Sequence, residues 1–236
     1  MAPSRQRTLD PGRLGERIDA TPGVARLRAA AGEAPVYLVG GSVRDALLGL
    51  PSANLDLAVE GDGIELAKRL GGELIRTHPQ FGTAVIEIDG LVIDVATART
   101  ESYPAPGALP EVEPASIEDD LARRDFTINA MAVPLSGEPA LIDPHGGLAD
   151  LEQGLLRVLH DRSFVDDPTR ALRAARYAAR LGLRLESGTE QLLRAADLST
   201  AGSYRLDREL ARLDAELTAP RARELLEEWE LADAVA

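Results

Sequence analysis

Val36-Tyr37-Leu38-Val39-Gly40-Gly41-Ser42-Val43-Arg44-Asp45 and, a few residues on, Asn54-Leu55-Asp56-Leu57-Ala58-Val59-Glu60 predict the centre of the fold. The first segment is an apolar strand that stops at paired glycines and passes at once into a helix. Ser42 is expected to cap that helix, Asp45 three residues on completes a capping box, and Gly49 and Pro51 mark its end. In the second segment, alternation sends Leu55, Leu57 and Val59 to one face and Asn54, Asp56 and Glu60 to the other. It reads as a half-buried strand with a polar working face.

Working outward, residues 63–70 predict a helix, and residues 83–88 and 91–96 predict two strands joined by Asp89-Gly90, a dipeptide suited to a tight hairpin turn. The sheet is therefore at least partly antiparallel. Residues 101–116, rich in proline and glycine, read as a mobile loop; 117–123 reads as a short helix and 126–134 as a strand-like or buried segment. Before the first strand lie a polar lead-in and a short helix. From about Leu151 onward helical patterns dominate, over 168–181, 189–196, 206–217 and 221–231. The layout is α+β in three parts: a lead-in over 1–34, a small mixed sheet with flanking helices over 35–152, and a helical domain over 153–236.

Composition narrows the function. The 236 residues carry no cysteine, so disulfides and thiolate metal sites are excluded, and the three histidines (His78, His145, His160) are too scattered for a zinc cluster. Any metal is held by oxygen, which points to magnesium. No apolar run is long enough for a bilayer or a secretory signal, and the expected compartment is the cytoplasm. The net charge of −13 argues against a surface that binds nucleic acid everywhere; RNA would need a local basic patch.

Three constellations could carry chemistry, and the residues alone leave each open. Gly40-Gly41 before a helix N-terminus, with Arg44 on the first turn, is either an anion site or a tight turn. Asp56 and Asp94 are either two carboxylates converging on magnesium from neighbouring strands or aspartates facing solvent. Arg170, Arg173, Arg176, Arg180 and Arg184 fall within an arc of about 120° at 100° per residue, either a ligand-facing stripe or a solvated face. Between Arg157 and Arg184 seven arginines stand against three aspartates, a local net charge of +4 in an otherwise acidic chain, and from these residues alone the solvated, ion-paired face is the favoured reading. Asp167 and Arg170 are spaced to accept from and donate to the edge of a base.

In order, these segments resemble the bacterial tRNA nucleotidyltransferases and poly(A) polymerases, from about position 36 to position 210. Leu38-Val39-Gly40-Gly41-Ser42-Val43-Arg44-Asp45-Ala46-Leu47-Leu48-Gly49 is similar to the family's first motif, which continues into an Asp-x-Asp strand. Leu121-Ala122-Arg123-Arg124-Asp125-Phe126-Thr127-Ile128-Asn129-Ala130-Met131-Ala132 resembles the second, ribose-reading motif. Asp143-Pro144-His145-Gly146-Gly147 resembles the flexible third, Asp166-Asp167-Pro168-Thr169-Arg170 the base-reading fourth, and Tyr204-Arg205-Leu206-Asp207-Arg208-Glu209-Leu210, more weakly, a fifth.

The resemblance implies a nucleotidyltransferase head followed by a helical neck. It implies that Gly40, Gly41 and Arg44 hold a triphosphate, that Arg124 and Asp125 contact phosphate and ribose, and that Asp167 and Arg170, supported by Arg173 and Arg176, pair with the base. Asp56 and Asp94 would be magnesium ligands. The implied reaction is template-independent addition of CMP or AMP, from CTP or ATP, to the 3′ end of tRNA, with pyrophosphate released. Two departures stand out. Position 54, where the first aspartate of Asp-x-Asp belongs, is Asn54, which keeps a carbonyl oxygen but no charge. The resemblance also ends soon after the neck, so the family's tRNA-gripping body and tail helices are not expected within this chain. An inactive homologue that binds nucleotides or RNA is the alternative.

Overall fold

The structure is a computed structural model that describes residues 9–52 and 54–232. Two short helices, α1 (Leu14–Asp19) and α2 (Val24–Ala31), lead into strand β1 (Val36–Val39), helix α3 (Gly41–Leu48), strand β2 (Asn54–Val59) and helix α4 (Gly63–Leu70). Strands β3 (Glu73–His78), β4 (Thr83–Ile88) and β5 (Leu91–Thr97) follow, then a hairpin of β6 (Arg99–Ser102) and β7 (Glu111–Pro114). Helix α5 (Ile117–Ala122), a single turn at Thr127–Asn129, strand β8 (Ala132–Pro134) and helix α6 (Gly147–Gln153) complete the sheet-bearing part. Beyond it lie β9 (Leu155–Leu156), α7 (Ser163–Asp166), α8 (Arg170–Leu181), β10 (Arg184–Leu185), α9 (Ser187–Arg194), α10 (Ser203–Asp214) and α11 (Ala219–Glu228). The expected polar lead-in falls largely on residues outside the described range.

The sheet has six strands in the order β3-β4-β5-β2-β1-β8. Only β2 and β5 run parallel; β1 is antiparallel to β2 and β8, and β4 to β3 and β5. The sheet is therefore mixed, as the sequence implies. Alternation divides its two faces. Leu38, Leu55, Leu57, Ile86, Ile93 and Val95 pack into the main core with Leu14, Ile18, Val43, Leu47 and Leu66 from the helices. Val39, Ala58 and Ala132 point the other way, against Ile117 and Leu121 of α5. The main core continues into the helical part through Phe126, Phe164, Leu172 and Ala175. Phe126 meets Tyr177 edge to face at 6.0 Å.

Local chemistry sets the ends of these elements. Asp62 caps α4 by accepting from the backbone N–H groups of Ile64 and Glu65, and Ser116 caps α5 by accepting from Asp119. The last carbonyls of α3, at Ala46 and Leu47, accept from Arg17 of α1 at 3.2 and 2.6 Å. Asp89 and Gly90 both take positive φ, as the expected hairpin turn requires.

Four expectations are corrected. Ser42 does not cap α3: Gly40 is the cap residue, and the Ser42 hydroxyl crosses to β2, accepting from Asp56 N–H at 2.8 Å. The capping-box partner Asp45 instead pairs with Arg44 and Arg180. Residues 101–116 hold the β6–β7 hairpin rather than a plain loop, because Arg99, Glu101 and Arg123 form an ion-pair network against α5. Strand β3 is additional. Finally, Arg184 lies on β10 beyond the end of α8, so it leaves the basic stripe. Among the described residues no helix is long and apolar enough to cross a membrane.

Candidate active site

A cleft of about 760 Å³ opens where the sheet meets α8 and α10. It is large enough for a nucleotide. Every residue to which the resemblance assigns a role lines it: Gly40, Gly41, Arg44, Asn54, Asp56, Asp94, Arg124, Asp125, Asp167, Arg170, Arg173 and Arg176.

The sheet register places the acids. β2 and β5 run side by side with Asp56 opposite Asp94, so two carboxylates project from adjacent strands at one level. Among the described residues neither has a hydrogen-bond or ion-pair partner. Burial, and then the charge of Asp94, push the Asp56 carboxyl up to about 6, against the pull of Arg124, Arg44 and Arg173. Burial also raises Asp94. Two unpaired, partly desolvated carboxylates are a donor set that a hard divalent cation satisfies, so these residues fit magnesium. Asn54, at the exposed start of β2, adds a neutral carbonyl oxygen two residues away on the same face.

The glycine turn stands beside them. Gly40 has φ 63° and ψ −128°, a conformation for a residue without Cβ, and the Arg124 guanidinium would lie 2.8 Å from a Cβ placed there. Its own N–H is spent on Met131 O, so the N–H groups that start α3 belong to the residues after it. Arg44 is 2% exposed: its guanidinium donates to Asp45 and to Asn129 Oδ1, and it lies over the Tyr177 ring at 5.2 Å. Arg124 donates to Asp120 Oδ2 at 2.7 Å.

Across the cleft, the arginines of α8 are individually tethered. Arg173 pairs with Asp125, which also accepts from Asn129 Nδ2 at 3.0 Å and from Phe126 N–H at 2.8 Å. Burial alone would raise Asp125, but the Arg173 charge and the hydrogen bonds from Asn129 and Arg173 bring it down to about 2. Arg170 is buried and donates to Ser163 Oγ and to Arg123 O, and Arg176 pairs with Glu216. Asp167 Oδ1 accepts from the Thr169 hydroxyl at 2.6 Å and from Arg205 at 2.7 Å. Thus Arg170, Arg173, Arg176 and Arg180 line the cleft rather than forming a solvated face.

Several lining or supporting residues were given no role by the sequence reading: Glu101, Tyr103, Tyr177, Arg212, the fully buried Asp120 beneath Arg123 and Arg124, and Arg205, which it quoted only within the fifth motif. Tyr177 had a signal, since it continues the spacing of Arg170 and Arg173 on α8. Glu101 and Tyr103 had none, because they lie in a segment whose composition reads as loop.

A carboxylate pair on a mixed sheet thus faces an arginine-lined helix across one cleft, an arrangement suited to an anionic ligand held beside a divalent cation. The chain matches the Poly A polymerase head domain over residues 36–157 and belongs to that family. It is 53% identical over 165 residues to the A-adding tRNA nucleotidyltransferase of Aquifex aeolicus, covering 68% of this chain and 20% of that protein. It is 43% identical over 210 residues to the CC-adding tRNA nucleotidyltransferase of Deinococcus radiodurans, covering 86% of this chain and 56% of the relative. Among solved structures, a CCA-adding enzyme in an apo form superposes with TM-score 0.78 at 41% identity, over 94% of this chain and 54% of its own. A tRNA nucleotidyltransferase complexed with a primer tRNA and an incoming ATP analog superposes with TM-score 0.76 at 40% identity, over 89% and 62%. The chain thus spans less than two thirds of the length of each of these relatives.

Proposed function

We propose that this chain is the catalytic head and neck of a tRNA nucleotidyltransferase, which adds CMP or AMP from CTP or ATP to the 3′ end of tRNA and releases pyrophosphate. One observation carries the reading: Asp56 and Asp94, unpartnered and in register, line the same cleft as Asp167 and the arginines of α8. The names of the relatives, A-adding and CC-adding, support the substrate class. We set the boundary between head and neck at residues 152–153, which agrees with the change from sheet to helices and with a family match that ends at residue 157.

Asp56, Asp94 and the Asn54 carbonyl would hold magnesium, which when bound would stabilise charge on the phosphoryl oxygens and favour ionisation of the attacking hydroxyl. The start of α3 and Arg124 receive the triphosphate, with Gly40 and Gly41 giving it room and Arg44 holding the turn from beneath. Asp125, kept ionised by Arg173, accepts from the ribose. Asp167 and Arg170 address the base edge: Thr169, Arg205, Ser163 and the Arg123 carbonyl fix their orientation, and Arg170 retains further N–H groups for a ligand. Arg173 and Arg176 support them from the next turns of α8.

Asn54 favours a second reading, a nucleotide-binding homologue with little turnover, because a neutral ligand offsets less cation charge. Incubating the protein with magnesium, labelled ATP or CTP and a tRNA ending before CCA separates the two. Extension supports the transferase; nucleotide heats in calorimetry without extension support the binder. Absence of both, for all four nucleoside triphosphates, overturns both readings.

A further inference from the structure

Tyr204 is the anomaly of the surface. The chain has only eight aromatic residues, three Phe, four Tyr and one Trp, yet Tyr204 is 71% exposed on the first turn of α10. Exposing an aromatic ring forgoes burial that would stabilise the fold. The Arg208 guanidinium lies 5.8 Å from the ring centroid, and among the described residues Arg208 has no carboxylate partner. Its charge is unspent in a chain of net charge −13.

The helix connects this pair to the cleft. At 100° per residue, Tyr204, Arg205, Arg208, Arg212 and Ala215 fall within an arc of roughly 100°. Arg205, Arg212 and Ala215 line the cleft, so Tyr204 and Arg208 extend its wall outward. The acids on α10 leave the strip itself clear: at 100° per residue Asp207 flanks Tyr204 about 60° to one side, away from Arg208 and Arg212, Asp214 pairs with Arg223, and Glu209 is buried among Arg173, Arg176 and Arg212. Arg205 also donates to Gly107 O, whose N–H donates to Val165 O, so the exposed Leu109 and Val165 gather near the same mouth.

We propose that Tyr204 and Arg208 form a landing strip for single-stranded RNA, on which an unpaired base stacks on the tyrosine ring while Arg208 meets the adjoining phosphate. A flat aromatic surface beside an unpaired planar cation suits a nucleobase and its phosphate, and every base has a face to stack. The continuing strip of Arg205 and Arg212 carries the chain end toward Asp56 and Asp94. The inference rests on the RNA-extending function proposed above and identifies where the RNA enters.

The test is fluorescence anisotropy of a short labelled single-stranded RNA at low salt, using the whole chain, with calorimetry of ATP and magnesium run in parallel on each variant. Tyr204→Ala should weaken RNA binding roughly 5- to 100-fold, while Tyr204→Phe should retain it, since the face and not the hydroxyl binds. Arg208→Gln should lower the slope of log K against log salt by about 0.7, the share of one phosphate contact on a single strand. ATP binding should be the same in all of them. RNA binding that is undetectable in the unmodified chain, or equal in Tyr204→Ala, overturns the inference even when ATP binds normally. Loss of ATP binding everywhere, with the RNA effects intact, counts against the proposed function and leaves the landing strip standing.

Discussion

Replacing Arg173 by methionine removes the cation that pairs with Asp125 and keeps much of the side-chain bulk. Asp125 is 6% exposed and is held at about 2, against an ordinary 3.8, so the pair contributes about 2 kcal/mol of stability at neutral pH. A lowered carboxylate pKa gives stability that is present above the unfolded value and is lost as pH falls through the folded one. In the variant the burial remains while the Arg173 charge and its hydrogen bonds are gone, leaving the hydrogen bonds from Asn129 and Phe126 and the charge of Arg170, so the carboxyl moves up. The cost at pH 7.5 should reach about 3–5 kcal/mol, the range for a broken buried pair. Near pH 4 the unpaired carboxyl takes up a proton, and the gap between Arg173→Met and the unmodified protein should narrow by about 2 kcal/mol. Urea unfolding followed by circular dichroism at both pH values measures this, in buffer without magnesium or nucleotide. A gap of the same size at both pH values would refute the account, because lost packing alone has no such pH dependence.

Three further outcomes are expected. In EDTA, Asp56→Asn should stabilise the protein at pH 7.5 by about 1–3 kcal/mol and do nothing near pH 3.5, since a raised carboxyl costs stability progressively as pH climbs from its ordinary value of 3.8 to its folded value of about 6, and in full above that; a loss of melting temperature at pH 7.5 would contradict this. Asn54→Asp should raise nucleotide addition to tRNA by orders of magnitude, each tenfold step being about 1.4 kcal/mol of transition-state stabilisation, while changing ATP affinity much less; fast addition by the unmodified protein would remove residue 54 from the metal site. Arg170→Ala should erode discrimination among the four nucleoside triphosphates in competition calorimetry more than it weakens triphosphate binding as a whole, and an equal loss for all four would count against base reading.

What was legible in the sequence was whatever local periodicity and turn chemistry determine. The alternation of β2, the Asp89-Gly90 hairpin and the amphipathic α4 appear where expected because each declares itself within a few residues. Strand β3 gave no such signal: apart from Thr77 its residues are exposed, as suits an edge strand with little to bury, and pairing with β4 alone sets its conformation. The β6–β7 hairpin was hidden because ion pairs to Arg123, more than twenty positions away in sequence, hold it in place of apolar contacts. Ser42 illustrates the same limit on a smaller scale. Its position invites a local cap, but the folded chain offers it the Asp56 backbone instead. At the site, the charged residues could be read as candidates, whereas Arg205 reaching Asp167 is a product of tertiary packing with no trace in spacing.

The opposition of Asp56 and Asp94 across two parallel strands divides labour between folding and chemistry. Their separation is dictated by the backbone ladder, so neither acid's side chain is needed to build the scaffold that presents it, and either can be exchanged while the frame stands. Asn54 sits at the exposed first residue of β2, where the frame demands still less of its side chain. Charge at the proposed cation site can therefore be removed or restored one position at a time without rebuilding the frame around it.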